Sequence, residues 1–276
     1  MNTEEIMQLA VEMAGLPAIP QDSAIYYSGE RIGRVLFGID LGAAEVALAK
    51  DLGFDLVVSH HPAGGAAVLN FHQVLDRHVD QMIACGVPEG QAREAIAALR
   101  EDKRILDSIQ NYDHAPSIAR LVRMPYMNIH TPLDEIGRRR MAETAASLSE
   151  RARVSDLIDR LYSSFGEFRH AATRIEARVG RPVNRLGRVV VSHGAGTNGG
   201  FLVAKAYFDH GFDTVVYIHC RPEASRRLTA EFKDTKNLVV TGHIASDSLG
   251  INPFIAALRS GGLEVTAVSG IIPPEA

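Results

Sequence analysis

The sequence has no tryptophan, only two cysteines, Cys85 and Cys220, and 6% aromatic residues in 276 positions. Two isolated thiols cannot build a disulfide framework or a cysteine-based zinc site, and their scarcity suits a reducing compartment. An excess of positive charge is also missing: 29 lysines and arginines against 33 aspartates and glutamates leave a formal charge of −4. That balance predicts no general attraction to nucleic acid or to an anionic membrane. No apolar run approaches the length of a membrane-spanning helix, about 18 residues. The opening Met1-Asn2-Thr3-Glu4-Glu5 lacks the basic stretch of a secretory signal, so a cytoplasmic location is expected.

What is present is an ordinary globular composition, 46% hydrophobic and 22% charged, with an internal echo. Arg31-Ile32-Gly33-Arg34-Val35 returns as Arg185-Leu186-Gly187-Arg188-Val189. Asp51-Leu52-Gly53-Phe54-Asp55 returns as Asp209-His210-Gly211-Phe212-Asp213, which sets His61 opposite His219. His130-Thr131-Pro132-Leu133-Asp134 returns as His243-Ile244-Ala245-Ser246-Asp247. Three collinear matches predict a duplicated α/β unit. Each unit reads as strand, helix, strand, and its apolar runs do not alternate, so mixed or mostly parallel sheets flanked by helices are expected. We expect a first lobe over residues 1–150, with a helical insertion at about 66–124, and a second over 151–276. Charge along the insertion predicts solvated or partner-facing helices.

Several of the matched residues fall at strand ends, where α/β sheets place their ligands. His60 and His61 follow Leu56-Val57-Val58-Ser59 and precede Pro62. Neighbours on a regular strand face opposite ways, so one ion takes both only if the chain bends, whereas two ions can take one each. In each His-x-x-x-Asp motif the two side chains can share one helix face and chelate an ion. The aspartates could equally cap helix N-termini, as Pro132 suggests for Asp134. Three histidines and two aspartates suit zinc, manganese, iron, cobalt or nickel better than calcium. Gly194 to Gly199 fits G-x-G-x-x-G, but no acidic residue ends the following strand, so an anion-binding or close-packing turn is expected rather than a dinucleotide site. Arg138, Arg139 and Arg140 read as a helix face.

Taken in order, Ser59-His60-His61-Pro62, His130-Thr131-Pro132-Leu133-Asp134 and Gly242-His243-Ile244-Ala245-Ser246-Asp247 resemble the signatures of the Nif-three-like family (NGG-one interacting factor three). Its bacterial members are often described as GTP cyclohydrolase type two homologues. The resemblance spans nearly the whole chain. It implies two divalent transition-metal ions in a cleft between two similar lobes, held by His60, His61, a bridging Asp134, His243 and Asp247, and a ring-shaped homo-hexamer. The family usually carries glutamate where Asp247 stands, and the insertion between His61 and Asp134 is unusually long for it. His130 and His219 lie outside the implied ligands and are acid–base candidates, with a role in orienting ligands or in structure as the alternative. The function implied is metal-dependent hydrolysis of a small molecule, ring opening of a purine nucleotide, with Arg120, Arg123, Arg138 and Arg221 as candidate phosphate contacts. A non-catalytic metal carrier or regulatory metal-binding protein is the alternative, and a pure scaffold the third.

Overall fold

Short apolar runs bounded by turns become strands. In the computed structural model, which describes residues 1–275, these are β1 (Ala24–Tyr27), β2 (Arg34–Gly38), β3 (Leu56–Ser59), β4 (Tyr126–Asn128), β5 (Glu176–Val179), β6 (Val189–Val191), β7 (Thr214–Tyr217), β8 (Asn237–Val240) and β9 (Glu264–Val268). They form two sheets, ordered β1-β4-β3-β2-β9 and β5-β8-β7-β6. All neighbours are parallel except β1 with β4 and β5 with β8. The α/β class with mixed, mostly parallel sheets is therefore observed, and the two sheets share strand order and direction apart from β9.

The chain divides into two compact units, each assembled from separated stretches. The first takes Met1–Val74, Glu101–Ile136 and Gly250–Ile271, and the second Leu75–Arg100, Gly137–Leu249 and the residues from Ile272. Within the first, Val35, Phe37, Leu56 and Val58 pack with Ile6 and Met7 of the helix Thr3–Met13 and with Phe254 and Leu258. Leu36 and Val57, pointing the other way, pack with Val46 and Ala49 of the helix Ala43–Asp51 and with Ala115 and Ala119 of the helix His114–Val122. Both faces of the sheet are covered, which is why these strands show no apolar–polar alternation. The second sheet repeats the arrangement. Val215 and Tyr217 face Val203 and Tyr207 of the helix Gly200–Asp209, and Val216 and Ile218 face Leu157 and Leu161 of the helix Val154–Ser164.

The recurring Arg-Val and Gly-Phe-Asp segments have the same structural task in each unit. Asp55 accepts hydrogen bonds from the Gly33 and Arg34 amides at 2.9 and 2.8 Å, and Asp213 accepts one from the Arg188 amide at 3.0 Å. The guanidinium of Arg34 lies 4.9 Å from the Phe54 ring centre and that of Arg188 lies 4.4 Å from Phe212. Each set pins the start of one strand to the turn that opens the next.

The 66–124 segment differs from the expectation of solvated helices. Leu75, Val79, Met82, Val87, Ala92 and Ile96 are buried in the core of the second unit, against Tyr207 and Phe208. The charges occupy the opposite side of amphipathic helices, whose apolar stripe covers one face of the second sheet. His78, on the same helix as Val79, is fully buried, and burial lowers its pKa to about 4. Among the described residues no helix is long and apolar enough to cross a membrane.

Two predictions follow from these contacts. Asp55→Ala and Asp213→Ala should each reduce unfolding free energy by about 1 kcal/mol, read from urea denaturation, because each removes an acceptor for strand-opening amides at an exposed or half-exposed site. His78 is neutral in the folded protein and takes a proton near pH 6.5 when unfolded, so its contribution is present above that pH and is lost as pH falls from about 6.5 to about 4. His78→Leu should flatten this part of the acid limb in a stability-against-pH curve.

Candidate metal centre

The first unit carries three imidazoles and a buried carboxylate at one end of its sheet. His60 and His61 continue the pairing of β3 with β2, their amides donating to Gly38 O at 2.8 Å and Ile39 O at 3.0 Å. Their ring centres are nevertheless 5.1 Å apart, and that of His130 is 4.9 Å from His60 and 5.6 Å from His61. One ligand atom from each of the three lies within 4.8 Å of the others. The chain therefore brings both neighbours to one cluster as it leaves the strand.

Each ring is held from behind through Nδ1. His60 Nδ1 meets Ile129 O at 2.9 Å, His61 Nδ1 meets Asp40 Oδ1 at 2.7 Å, and His130 Nδ1 meets Asp22 Oδ2 at 2.7 Å. A donating Nδ1–H fixes the tautomer in which Nε2 keeps its lone pair, the usual arrangement behind a metal-binding histidine. Asp134, 3% exposed, presents Oδ1 3.2 Å from His60 Nε2 and Oδ2 3.6 Å from His130 Nε2. An imidazole lone pair and a carboxylate both accept, so such a pair needs a shared proton or a shared cation. The donor set, imidazole nitrogen with one carboxylate, fits a borderline divalent ion.

Asp22 is itself fully buried and also accepts from Thr131 Oγ1 at 2.7 Å, while Ser23 Oγ takes the His130 amide at 3.0 Å. Phe71 from the insertion packs 5.7 Å from the His130 ring. Beside His61, whose side chain is 24% exposed, a cavity of about 440 Å³ opens between Asp40, Glu45, Asn111 and His114.

The second unit places His243 at the start of the helix His243–Ser260, with Asp247 one turn on. His243 Nε2 is 3.3 Å from Asp247 Oδ2; Asp247 is 1% exposed. His219 lies edge-on to His243 at 4.7 Å, with the Asn198 side-chain amide 3.2 Å from its Nε2. Asn198 is anchored in turn, its Oδ1 accepting from the Ile218 amide at 2.8 Å.

The structure thus gathers His60, His61, His130 and Asp134 in one unit and His219, His243 and Asp247 in the other. Asp134 and Asp247 each lie against an imidazole. Asp22, Asp40 and Asn198 were not singled out by the sequence. Of the arginines expected to contact phosphate, Arg120 is bound by both oxygens of Asp113 at 2.7 and 2.8 Å, and none of Arg120, Arg123, Arg138 and Arg221 lines the cavity. Arg140 packs on the Phe165 ring and donates to Leu249 O. The glycine-rich turn is a close-packing turn; Gly199 has φ +75° and a Cβ there would overlap Val203, while Arg77 and Gln81 occupy the Gly194 and His193 carbonyls.

Asp22→Ala should lower stability by about 2 kcal/mol, because it leaves a buried imidazole N–H and a buried hydroxyl without their acceptor. Nitrogen-edited NMR of the histidine rings should show His130 losing its Nδ1-protonated signature; its retention would mean that Asp22 does not set the tautomer.

A protein of the NIF3 superfamily from Sphaerobacter thermophilus is 50% identical to this chain, with 98% of each chain covered and a TM-score of 0.93. Reduced HcgD from Methanocaldococcus jannaschii is 14% identical over 97% of each chain, with a TM-score of 0.55. A Bacillus cereus protein related to NIF3 is 12% identical over 97% of this chain and 96% of its own, with a TM-score of 0.50. The latter two share the fold. No family model and no curated protein matches the chain.

Proposed function

Because the chain belongs to the NIF3 superfamily, as 50% identity to a member over nearly its full length shows, we propose that its histidine–aspartate sets bind divalent transition-metal ions, and that the protein is a metal-dependent hydrolase. One observation carries the metal reading: three imidazoles, each tied at Nδ1, offer one ligand atom apiece within 4.8 Å of one another beside a buried carboxylate.

His60, His61, Asp134, His243 and Asp247 would hold the ions, with His130 joining them because its ring is fixed like the other two. Bound divalent ions supply Lewis acidity that activates water and polarises a substrate. The chain's own residues do the rest. Asp22 and Asp40 hold His130 and His61 at Nδ1 and so orient their Nε2 atoms. His219, exposed and steadied by Asn198, is placed to take up or give a proton. The cavity beside His61 favours turnover over storage, because a centre that only stores an ion has no use for adjoining substrate-sized space. Ring opening of a purine nucleotide is the first reaction to assay, and a homo-hexamer the assembly we propose.

Elemental analysis of untagged protein by plasma mass spectrometry tests the reading. About two transition-metal ions per chain are expected, as for a two-metal hydrolase, with clear loss in His61→Ala and Asp134→Ala. No bound metal, even after incubation with zinc, manganese, iron, cobalt or nickel salts, would sink it.

A further inference from the structure

The two sheets correspond strand for strand except at one edge. β2 and β6 carry the recurring Arg-Val pair at their heads, Arg34-Val35 and Arg188-Val189, and each runs parallel to the strand that follows it. β2 has a second parallel neighbour in β9, whereas among the described residues no strand lies beyond β6. Alternate residues of a strand turn their backbone groups to opposite sides. Arg188 O accepts from the Thr214 amide at 3.1 Å and the Ser192 amide donates to Val216 O at 3.0 Å, so the backbone groups of Val189 and Val191 point away from β7. An open edge of three valines, with neither proline nor lysine in it, is a template for another strand. Beside it lies a groove of about 360 Å³, lined by Val189, Val191 and by Ala142, Ala145 and Ala146 of the helix Thr131–Ala146. All its lining belongs to the second unit. Its charged lining residues are Glu150, which lies 4.0 Å from Arg185, and Arg188, which rests on the Phe212 ring and has no carboxylate at ion-pair distance among the described residues.

The first sheet shows what such an edge takes. Glu264, at the head of β9, donates its amide to Gly33 O at 2.8 Å and sets its carboxylate 3.5 Å from Nε of Arg34, the residue that Arg188 repeats. One place further, Val265 is buried with Phe254 and Leu258 of the preceding helix. We propose that the open edge of β6 binds an extended segment of a partner protein by strand addition, parallel to β6, with a carboxylate at its head for Arg188 and a β-branched residue next to it for the alanine-lined groove. Main-chain hydrogen bonds to Val189 and Val191 give the affinity, and the carboxylate and the groove set the register. The segment of this chain that fits that description, β9, is committed to β2, so another copy offers no free equivalent. The site uses no residue of the proposed metal centre and stands independently of it.

A peptide of residues 262–270 with blocked ends carries the β9 sequence and serves as the probe. Titrated as a fluorescent derivative into the full-length protein, it should bind saturably, and hydrogen-exchange mass spectrometry should show protection over residues 187–193. N-methylation at Thr266, whose backbone lies on the same edge as that of Glu264, should weaken binding about tenfold, whereas N-methylation at Ala267, on the opposite edge, should leave it within about twofold. Glu264→Lys in the peptide should weaken binding several-fold to the wild-type protein and strengthen it to Arg188→Glu. Val191→Pro removes an outward N–H without touching the pairing with β7 and should abolish binding. No saturable binding, equal binding of the two N-methylated peptides, or indifference to the charge at Arg188 would overturn the proposal. Protection confined to β2 and β3 would do so too, since the peptide would then be exchanging with β9. Protection of 187–193 in the peptide-free protein that disappears on dilution would give the edge to a second copy and likewise overturn it.

Discussion

The imidazoles of the first unit are useful only because something behind each one holds its Nδ1, and sheet register places those holders. In the parallel pair β2 and β3, Gly38 is opposite Ser59, so two residues further on Asp40 comes alongside His61. In the antiparallel pair β1 and β4, Ala24 is opposite Asn128, so two residues beyond the strand ends Asp22 meets His130. The Ile129 carbonyl, from the chain leaving β4, takes His60. A slip of one residue would turn every side chain of the strand to the other face and dissolve these pairs. The double coverage of the sheet by apolar clusters makes such a slip costly, so the hydrophobic core specifies the donor geometry of the centre.

The same register explains why the second unit is built more lightly. There Val191 is opposite Val216, and the same count that leads from Phe37 and Val58 to Asp40 and His61 leads here to Gly194 and His219. No carboxylate is available at that position. Asn198 from the glycine-rich turn approaches His219 instead, and the turn must bend sharply to bring it there, with left-handed glycines at 194, 196 and 199. His243 has a 43% exposed side chain, whereas His60 is fully buried. The two sets share strand order but differ in how exposed their imidazoles are.

Much of this was legible in the sequence because it repeats or follows fixed spacing. Strand runs, the strand-end position of His60 and His61, and the one-turn spacing of His243 and Asp247 all follow from local chemistry. The recurring Arg34 and Arg188, with Asp55 and Asp213, turned out to be strand anchors. Asp22 and Asp40 were not legible, since their partners are 108 and 21 residues away and only strand pairing joins them. The chain's return into the first sheet as β9 beside β2 is likewise a matter of tertiary pairing. Charge counts misdirected the reading of the insertion, because Glu, Arg and Asp on the outer face of an amphipathic helix outnumber the apolar residues that pack.

That insertion separates two tasks in the first unit. The sheet and its flanking carboxylates fix the nitrogen donors, and Phe71, Asn111 and His114 of the insertion shape what surrounds them. Phe71 lies against His130, and the Lys103 ammonium lies 4.2 Å over the Phe71 ring. Lys103 is also bound to Asp107 at 2.6 Å, and Asp107 is fully buried, so the cation is spent on holding the aromatic wall and is not offered to an anionic substrate. Asn111 and His114 then face the cavity without orienting any imidazole. Changes along this stretch can alter which molecule reaches the centre while the ligand geometry, fixed by strand register, stays as it is.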